Sequence, residues 1–200
     1  GKYKITGVLG RGGMGVVYKA QDIRIGRMVA IKTIHKEMLG GDGAVELRAR
    51  FLKEIRAVGL LQHTNIVAVY DADEIDGEPY FVMEYVEGKE LKNYLEEGTR
   101  FSLERVRHIM RQILEAFDYT HKLDIVHRDI KPDNITIDAI GYPILTDFGI
   151  AEYEQDIIPG SQYGTLSYMA PEIVFEHSYS YTVDYYSLGV LLLLMVSGDM

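Results

Sequence analysis

The chain has 200 residues, and its 21 Lys and Arg against 30 Asp and Glu give a formal net charge of −9. A hydrophobic fraction of 47% and a charged fraction of 26% exclude a disordered or collagen-like chain, and the acidic balance argues against a broad nucleic-acid surface. The absence of cysteine excludes a disulfide scaffold, a cysteine zinc site, an iron–sulfur cluster and a cysteine nucleophile.

The apolar runs are too short to cross a membrane. The best candidate, Leu188–Val196, has nine residues where a span needs about 20, and it is predicted to be a buried core helix. The chain opens on Gly1-Lys2-Tyr3-Lys4, which does not lead into the apolar core of a signal peptide. We therefore expect a cytoplasmic location, with any membrane tether outside these residues.

The first third of the chain is predicted to form strands. A glycine cluster over Gly10–Gly15 is followed by Val16-Val17-Tyr18, so the glycines are expected at the tip of a hairpin. Met28–Ile31 is a second strand-like run. Apolar residues recur at helical spacing between Val45 and Leu61, which predicts a helix there.

An acidic segment separates the next two strand-like runs. Ile66–Tyr70 and Pro79–Met83 are predicted to pair, with a turn made by the acidic residues between Asp71 and Glu78. Because these acids open no recognisable ion-binding loop, they indicate a solvated hairpin rather than a metal site.

After Gly88 the pattern becomes helical. Ser102 is a good N-cap, and it precedes one apolar face of a long helix. The residues of that face are Val106, Ile109, Met110, Ile113, Leu114 and Phe117. A last helix is predicted from about Val183 to Val196. A strand-rich half followed by a helix-rich half predicts an α+β protein with two lobes.

The glycine cluster fits G-x-G-x-x-G but leads into a strand, whereas the dinucleotide-binding motif opens a helix. The Gly-Lys-Ser/Thr of a Walker loop is absent. On this motif alone, two interpretations remain open. The glycines form either a flap whose backbone N–H groups close over phosphates or a plain glycine-rich turn.

Further motifs follow in a fixed order. They are Val29-Ala30-Ile31-Lys32, His127-Arg128-Asp129 continued by Ile130-Lys131-Pro132-Asp133-Asn134, Asp147-Phe148-Gly149, and Ala170-Pro171-Glu172. Their order and spacing match the protein-kinase signature set. The chain therefore resembles the eukaryotic-type (Hanks-type) Ser/Thr protein kinases over essentially its whole length, and its flap looks most like that of the bacterial members.

The resemblance implies a phosphoryl transfer in which charges position and neutralise the phosphates. Asp129 matches the catalytic base, and Lys131 matches the lysine near the γ-phosphate. Lys32 matches the lysine on the α- and β-phosphates. Glu54 matches the helix-C glutamate that orients that lysine, although a solvated helix acid is an alternative.

The resemblance also implies ATP and Mg²⁺ as cofactors. Asn134 and Asp147 match the two metal ligands, whose hard oxygens suit Mg²⁺. Met83 matches the gatekeeper, and the backbones of Glu84 and Val86 would bond adenine. The other implied ATP-binding residues are Gly10, Gly12 and Gly15 in the flap, Val17 and Ala30 on the adenine face, Glu90 at the ribose, and Thr136 under adenine, where the family usually has an aliphatic residue.

Regulation is expected in the segment between Asp147 and Glu172. Arg128 can receive a phosphate carried by this segment, and Ser161 is the first choice of acceptor. Alternatively, the nearby acids Glu152, Glu154 and Asp156 supply part of the negative charge. Thr165 resembles the threonine that links the substrate loop to Asp129.

Other positions concern the frame of the C-terminal half. Asp184 resembles the buried aspartate that anchors the catalytic-loop backbone. Leu166 stands where a proline is common, and the family continues past the position of Met200 with further helices and an arginine that pairs with the glutamate matching Glu172. We therefore expect a chain that is C-terminally incomplete, with part of the last helix facing water.

The resemblance divides the chain into an ATP-binding N-lobe (1–84), a hinge (85–89) and a catalytic C-lobe (90–200). Expected partners are ATP and protein substrates, with a possible homodimer for autophosphorylation and no nucleic acid. Two other functions stay open: a pseudokinase or scaffold module, and a small-molecule kinase, which Lys131 and the Ala-Pro-Glu motif disfavour.

Overall fold

The computed structural model describes residues 1–12, 15–34, 45, 55, 58–147, 167–176 and 180–198. The chain forms two compact units. The first comprises Gly1–Gln62 and Val67–Tyr85, and the second comprises His63–Ile66 and Val86–Met200. The predicted helix between Val45 and Leu61 falls largely outside the described residues. The division into an ATP-binding lobe, a hinge and a catalytic lobe stays a prediction.

The first unit is built on an antiparallel sheet. Its described strands are β1 (Tyr3–Arg11), β2 (Gly15–Asp22), β3 (Met28–Ile34), β4 (Val69–Ile75) and β5 (Glu78–Glu84). They are arranged in the order β1-β2-β3-β5-β4. Since side chains alternate between the two faces of a strand, β3 sends Val29 and Ile31 into an apolar cluster on one face and Ala30 and Lys32 to the other.

The glycine cluster lies at the tip of the β1–β2 hairpin, as predicted. Gly10 pairs with Val17, and the Gly12 amide donates to the Gly15 carbonyl at 2.9 Å. Gly13 and Met14 lie outside the described residues.

The acidic segment is mostly strand, so the predicted long acidic turn is wrong. Asp71, Asp73 and Glu74 belong to β4, and the turn is confined to Asp76 and Gly77, whose φ values are +53° and +82°. An Asp-Gly pair with two positive φ values is what a tight two-residue hairpin demands. β4 is an edge strand with largely exposed residues, so its acids remain hydrated within the strand.

The second unit combines helices with a small antiparallel sheet. Its described elements are β6 (Gly88–Glu90), α1 (Leu91–Glu96), α2 (Leu103–His121), a 3₁₀ turn (Pro132–Asn134), β7 (Ile135–Asp138), β8 (Pro143–Leu145), α3 (Pro171–Glu176) and α4 (Thr182–Ser197). The strands are arranged in the order β6-β7-β8. This architecture, a sheet-based unit followed by a mainly helical one, confirms the α+β fold class.

Helix α2 begins where the sequence predicts. The Ser102 hydroxyl accepts from the Arg105 amide at 3.2 Å, which satisfies one of the free N–H groups of the first turn. The predicted apolar face is buried at Ile109 and Ile113, but Leu114 is 42% exposed, so its assignment to the core is wrong. The buried stripe turns instead toward Gln112, which joins a polar network within the second unit.

Helix α4 is apolar all round, yet only one side of it is buried among the described residues. Leu188 and Leu191 lie in the core, whereas Leu193 and Val196 are more than half exposed. The prediction of a buried core helix therefore holds for one side of this helix. In the described parts of the chain, no helix is both long and apolar enough to cross a membrane.

The burial pattern of α2 gives a matched pair of substitutions. Ile113→Ala should lower the free energy of unfolding by about 2–5 kcal/mol, because it removes a fully buried side chain. Leu114→Ala, at the exposed neighbouring position, should change it by less than about 1 kcal/mol. Urea denaturation of both variants checks this, and equal losses would show that α2 packs on a different face.

Candidate active site

In the first unit, one face of the sheet gathers the residues that sequence analysis assigned to ATP. Val17 pairs with Lys32 across β2 and β3, and Ala30 pairs with Met83 across β3 and β5. Directly paired residues share a face, and so do residues two apart on a strand. Val17, Ala30, Lys32 and Met83 therefore lie on the same face, opposite the apolar cluster of this unit.

The glycines of the hairpin tip differ in what the fold requires of them. A Cβ at Gly15 would lie 1.7 Å from the Thr33 carbonyl oxygen, so the close approach of β3 alone demands glycine there. Among the described residues, a Cβ at Gly10 or Gly12 would meet nothing within 4 Å, and neither residue has a positive φ. Packing in the described structure therefore accounts for Gly15 but not for Gly10 and Gly12.

In the second unit, the fully buried carboxylate of Asp184 anchors the segment that carries Asp129. It accepts the amide N–H of His127 at 2.9 Å and that of Arg128 at 2.8 Å. It also accepts from the His121 ring nitrogen Nε2 at 2.8 Å. The two backbone bonds confirm the expectation that Asp184, in the first turn of α4, holds the catalytic-loop backbone.

Two residues beside the candidate catalytic groups have left-handed backbone conformations. Arg128 has φ +68° and Asp147 has φ +52°. Positive φ values are uncommon for residues other than glycine, and they persist only where the surrounding structure holds the backbone in place. Just before that torsion at Arg128, the Asp184 carboxylate holds the amides of His127 and Arg128, and the left-handed turn then sets the direction in which the chain continues to Asp129.

Asp129 is held by two neighbours on the same loop. Lys131 Nζ lies 2.8 Å from Asp129 Oδ2, and Asn134 Nδ2 donates to the same oxygen at 2.7 Å. The Asn134 amide group also donates to the Asp129 carbonyl at 2.8 Å. With both donors on one carboxylate oxygen, the Asp129 side chain is fixed and is 13% exposed.

Thr146 joins this loop to Asp147. Its amide donates to the Asn134 carbonyl at 2.9 Å, and its carbonyl lies 3.1 Å from His127 Nε2. The end of β8 is thereby fixed against both halves of the loop. Asp147 follows directly and is brought to the same region as Asn134, as the motifs predict.

Glu90 and Thr136, the predicted ribose and adenine-floor residues, are paired partners across β6 and β7. They therefore share one face of the small sheet. Most of Glu90 is exposed to solvent, but neighbouring atoms partly shield its carboxyl group from water. This partial burial raises the pKa of the Glu90 carboxyl, and the negative charge of Asp133 raises it further.

Asn134 and Asp147 fit a magnesium ion chemically. The Asn134 side-chain nitrogen Nδ2 donates to Asp129 twice, once to its carbonyl oxygen and once to its carboxylate. The Asn134 oxygen Oδ1 takes no part in these bonds. Among the described residues no group of three or more His, Cys, Asp or Glu could hold a metal. Mg²⁺ needs no such cage, because it is commonly held by one or two protein oxygens together with phosphates and water.

The structure also reveals a residue that the sequence analysis missed. His121, the last residue of α2, is 9% exposed and stacks on Phe117 with ring centroids 5.4 Å apart. Tyr185 packs edge-on against it at 5.4 Å. Within the described part of the chain, His121 Nδ1 is buried without a partner, so Nε2 and its bond to Asp184 carry the polar contact of this ring.

Several predicted residues are not part of this geometry. Glu54, Ser161 and Thr165 lie outside the described residues. Glu84 ends β5 and donates its amide to the Ala68 carbonyl, whereas Val86 begins the main part of the second unit.

Comparison with known proteins gives a family match over nearly the whole chain. The family model described as the protein kinase domain matches residues 3–200. Serine/threonine-protein kinase PrkC of Bacillus subtilis is 39% identical over 99% of this chain and 31% of its own length. Serine/threonine-protein kinase PksC of Streptomyces coelicolor is 39% identical over 99% of this chain and 37% of its own length. Serine/threonine-protein kinase PknD of Mycobacterium tuberculosis is 38% identical over 96% of this chain and 29% of its own length. The chain spans about a third of the length of such curated relatives.

The bond from His121 to Asp184 can be tested with its packing kept. His121→Phe preserves an aromatic ring between Phe117 and Tyr185 but removes the donor to a buried carboxylate. It should lower the free energy of unfolding by about 1.5–3 kcal/mol, the worth of a hydrogen bond to a charged group. Chemical denaturation measures this, with His121→Gln as the variant that can restore a donor. An undiminished stability of His121→Phe would contradict the anchoring role.

Proposed function

Because the chain belongs to the protein kinase family, we propose that it is the catalytic unit of a serine/threonine protein kinase that transfers the γ-phosphoryl group of ATP to protein hydroxyls. The observation that carries this proposal is the Asp129 carboxylate, held by Lys131 and Asn134 at hydrogen-bond distance. The names of the relatives support serine and threonine as acceptors.

In the proposed reaction, the substrate hydroxyl oxygen forms a bond to the γ-phosphorus while the bond from that phosphorus to the β–γ bridging oxygen breaks. The hydroxyl proton passes to Asp129, whose other oxygen stays bonded to Lys131 and Asn134. The loop thus holds the base at a fixed position, which is the main contribution a protein makes to phosphoryl transfer. Lys131 also places a positive charge where the γ-phosphoryl charge develops.

The first unit is proposed to hold the phosphates of ATP. Lys32 is on the face shared with Val17 and Ala30, which would cover the adenine. Gly10 and Gly12, at the hairpin tip, offer backbone N–H groups without a Cβ to hinder the approach of a phosphate. We also propose that Met83 is the gatekeeper and that the backbones of Glu84 and Val86 bond adenine. Glu54 is proposed to orient Lys32.

The divalent metal is proposed to be Mg²⁺, held by Asn134 and Asp147. When bound, it would neutralise the negative charge of the phosphates. The remaining contributions are those of the chain: Asn134 orients the base through Nδ2, and Thr146 fixes the residue before Asp147.

The resemblance to the kinase family also supports proposals about the regulation, location and assembly of the protein. A phosphate on Ser161 would pair with Arg128, and Thr165 would link the substrate loop to Asp129. A homodimer would allow one copy to phosphorylate the other. Use of ATP and the lack of cysteine support a cytoplasmic location for the catalytic unit.

Substitution of the base separates this function from a scaffold role. In the full-length protein, Asp129→Asn should lower kcat on the order of 10²–10⁴-fold on a serine peptide, because the proton acceptor is lost. Binding of ATP should remain. Asp118→Asn is the matched control, since Asp118 lies on the exposed side of α2 in an ion pair with Lys122. A radiolabelled-phosphate assay measures both variants, and near-normal turnover by Asp129→Asn would refute the assignment.

The hairpin glycines provide a second test. Gly12→Ala should raise the KM for ATP several-fold with little change in stability, because a Cβ there meets no atom of the described residues but would obstruct a phosphate. Gly15→Ala should instead destabilise the protein, because its Cβ would collide with the Thr33 carbonyl. Steady-state kinetics and thermal unfolding of both variants distinguish the two effects. If Gly12→Ala left the KM for ATP unchanged, the flap assignment would fail.

A further inference from the structure

An ion pair next to the candidate base is not used by the proposed mechanism. Lys92 Nζ, on α1, lies 2.7 Å from Asp133 Oδ1, and the two side chains are 40% and 38% exposed. Asp133 occupies the middle of the 3₁₀ turn, whose outer residues Pro132 and Asn134 are buried. The turn therefore directs the Asp133 carboxylate outward, where Lys92 meets it.

This pair lies close to the reacting groups. Along the chain, Asp133 stands between Lys131 and Asn134, and both of these residues contact the Asp129 carboxylate. An extended peptide advances about 3.3–3.6 Å per residue. A peptide whose hydroxyl reaches Asp129 thus places side chains one to three residues away within reach of Asp133 and Lys92.

Electrostatic coupling to Tyr168 supports the same neighbourhood. Burial raises the pKa of the Tyr168 phenol, the charge of Asp133 raises it further, and the charges of Lys92 and Lys131 lower it. Tyr168 precedes α3 on the segment that Ser187 holds through a hydrogen bond to the Tyr168 carbonyl at 2.7 Å. Asp133 and Lys92 are therefore close enough to Tyr168 to act on its phenol, and both are partly open to solvent.

The pair has no net charge although each member alone would select substrates. An unpaired carboxylate at Asp133 would attract a basic side chain near the acceptor, and an unpaired Lys92 would attract an acidic one. When the two are bonded to each other, a charged substrate side chain must break their bond before it gains one of its own.

We propose that Lys92 is a specificity-determining residue that neutralises Asp133, so that this kinase accepts serine or threonine in peptides without requiring a charged neighbour. The proposal rests on the proposed function. If Lys92 loses its charge, the site should prefer peptides with a basic side chain near the acceptor. If Asp133 loses its charge, it should prefer peptides with an acidic one.

The test compares full-length wild type with Lys92→Met, Asp133→Asn and the double variant. Substrates are serine peptides that carry Arg, Glu or Ala at each of the three positions on either side of the acceptor. The measurement is the ratio of kcat/KM for each charged peptide to that of its Ala counterpart. Ratios within one enzyme cancel a general loss of activity, and Lys92→Gln serves as a second variant if Lys92→Met folds poorly.

Wild type should show ratios below about threefold at every position. Lys92→Met should favour Arg by about tenfold at one or more positions, and Asp133→Asn should favour Glu by a similar factor at the same positions. The double variant should return to the wild-type ratios. The gained preferences should shrink as salt rises, because the groups are half-exposed. Lys122→Met, which breaks the exposed Asp118 pair on α2, is the control and should leave all ratios unchanged.

The outcomes separate this inference from the function on which it rests. A wild type that already prefers Arg or Glu tenfold, or single variants with wild-type ratios, would overturn the role of Lys92 while leaving the kinase assignment intact. Wild type that phosphorylates no peptide in the set, including the Ala references, would refute the proposed function and this inference with it.

Discussion

The carboxylate of Asp184 is the constraint on which the second unit depends. A fully buried charge is costly unless donors surround it, and Asp184 meets this demand with two backbone amides and one histidine ring. These bonds hold the amides of His127 and Arg128 on one carboxylate, and Arg128 itself has a left-handed backbone conformation. The chain then turns so that the next residue, Asp129, faces the rest of its loop. Removing the carboxylate would leave all three of these donors without their acceptor.

A connected set of hydrogen bonds links the backbone held by Asp184 to the other residues of the candidate site. His127 contacts the Thr146 carbonyl, Thr146 donates to Asn134, and Asn134 donates to Asp129. The proposed base and both candidate metal ligands are thereby fixed within one compact unit, by residues that are buried or half-buried. Such preorganisation is what a reaction governed by positioning requires. Lys32, by contrast, is fixed by the sheet of the other unit, through its pairing with Val17 and Phe81.

Linear motifs predicted much of this site because their residues are close in sequence. Asp129, Lys131 and Asn134 fall within six residues, and a short turn necessarily brings them together. Hairpin glycines and the start of α2 were likewise local signals. His121 was missed because its role comes from a partner 63 residues away, which spacing within a helix does not reveal. Leu114 was misplaced and the acidic strand was mistaken for a turn for a related reason: burial and edge position are decided by tertiary neighbours, which propensity does not encode.

Local pairing also resolves an apparent conflict of charge. The chain carries a net charge of −9, yet the proposed substrate ATP is itself a polyanion. In the loop of the proposed base, however, each of two carboxylates is matched by a lysine, Asp129 by Lys131 and Asp133 by Lys92. The acidic excess lies elsewhere, for instance along the exposed edge strand β4, where water screens it. Because interactions between exposed charges decay within a Debye length of about 8–10 Å, the field at the catalytic loop is set by its own ion pairs rather than by the total charge. The total charge of −9 is therefore no obstacle to binding a polyphosphate, because the two lysines balance the carboxylates of Asp129 and Asp133 locally.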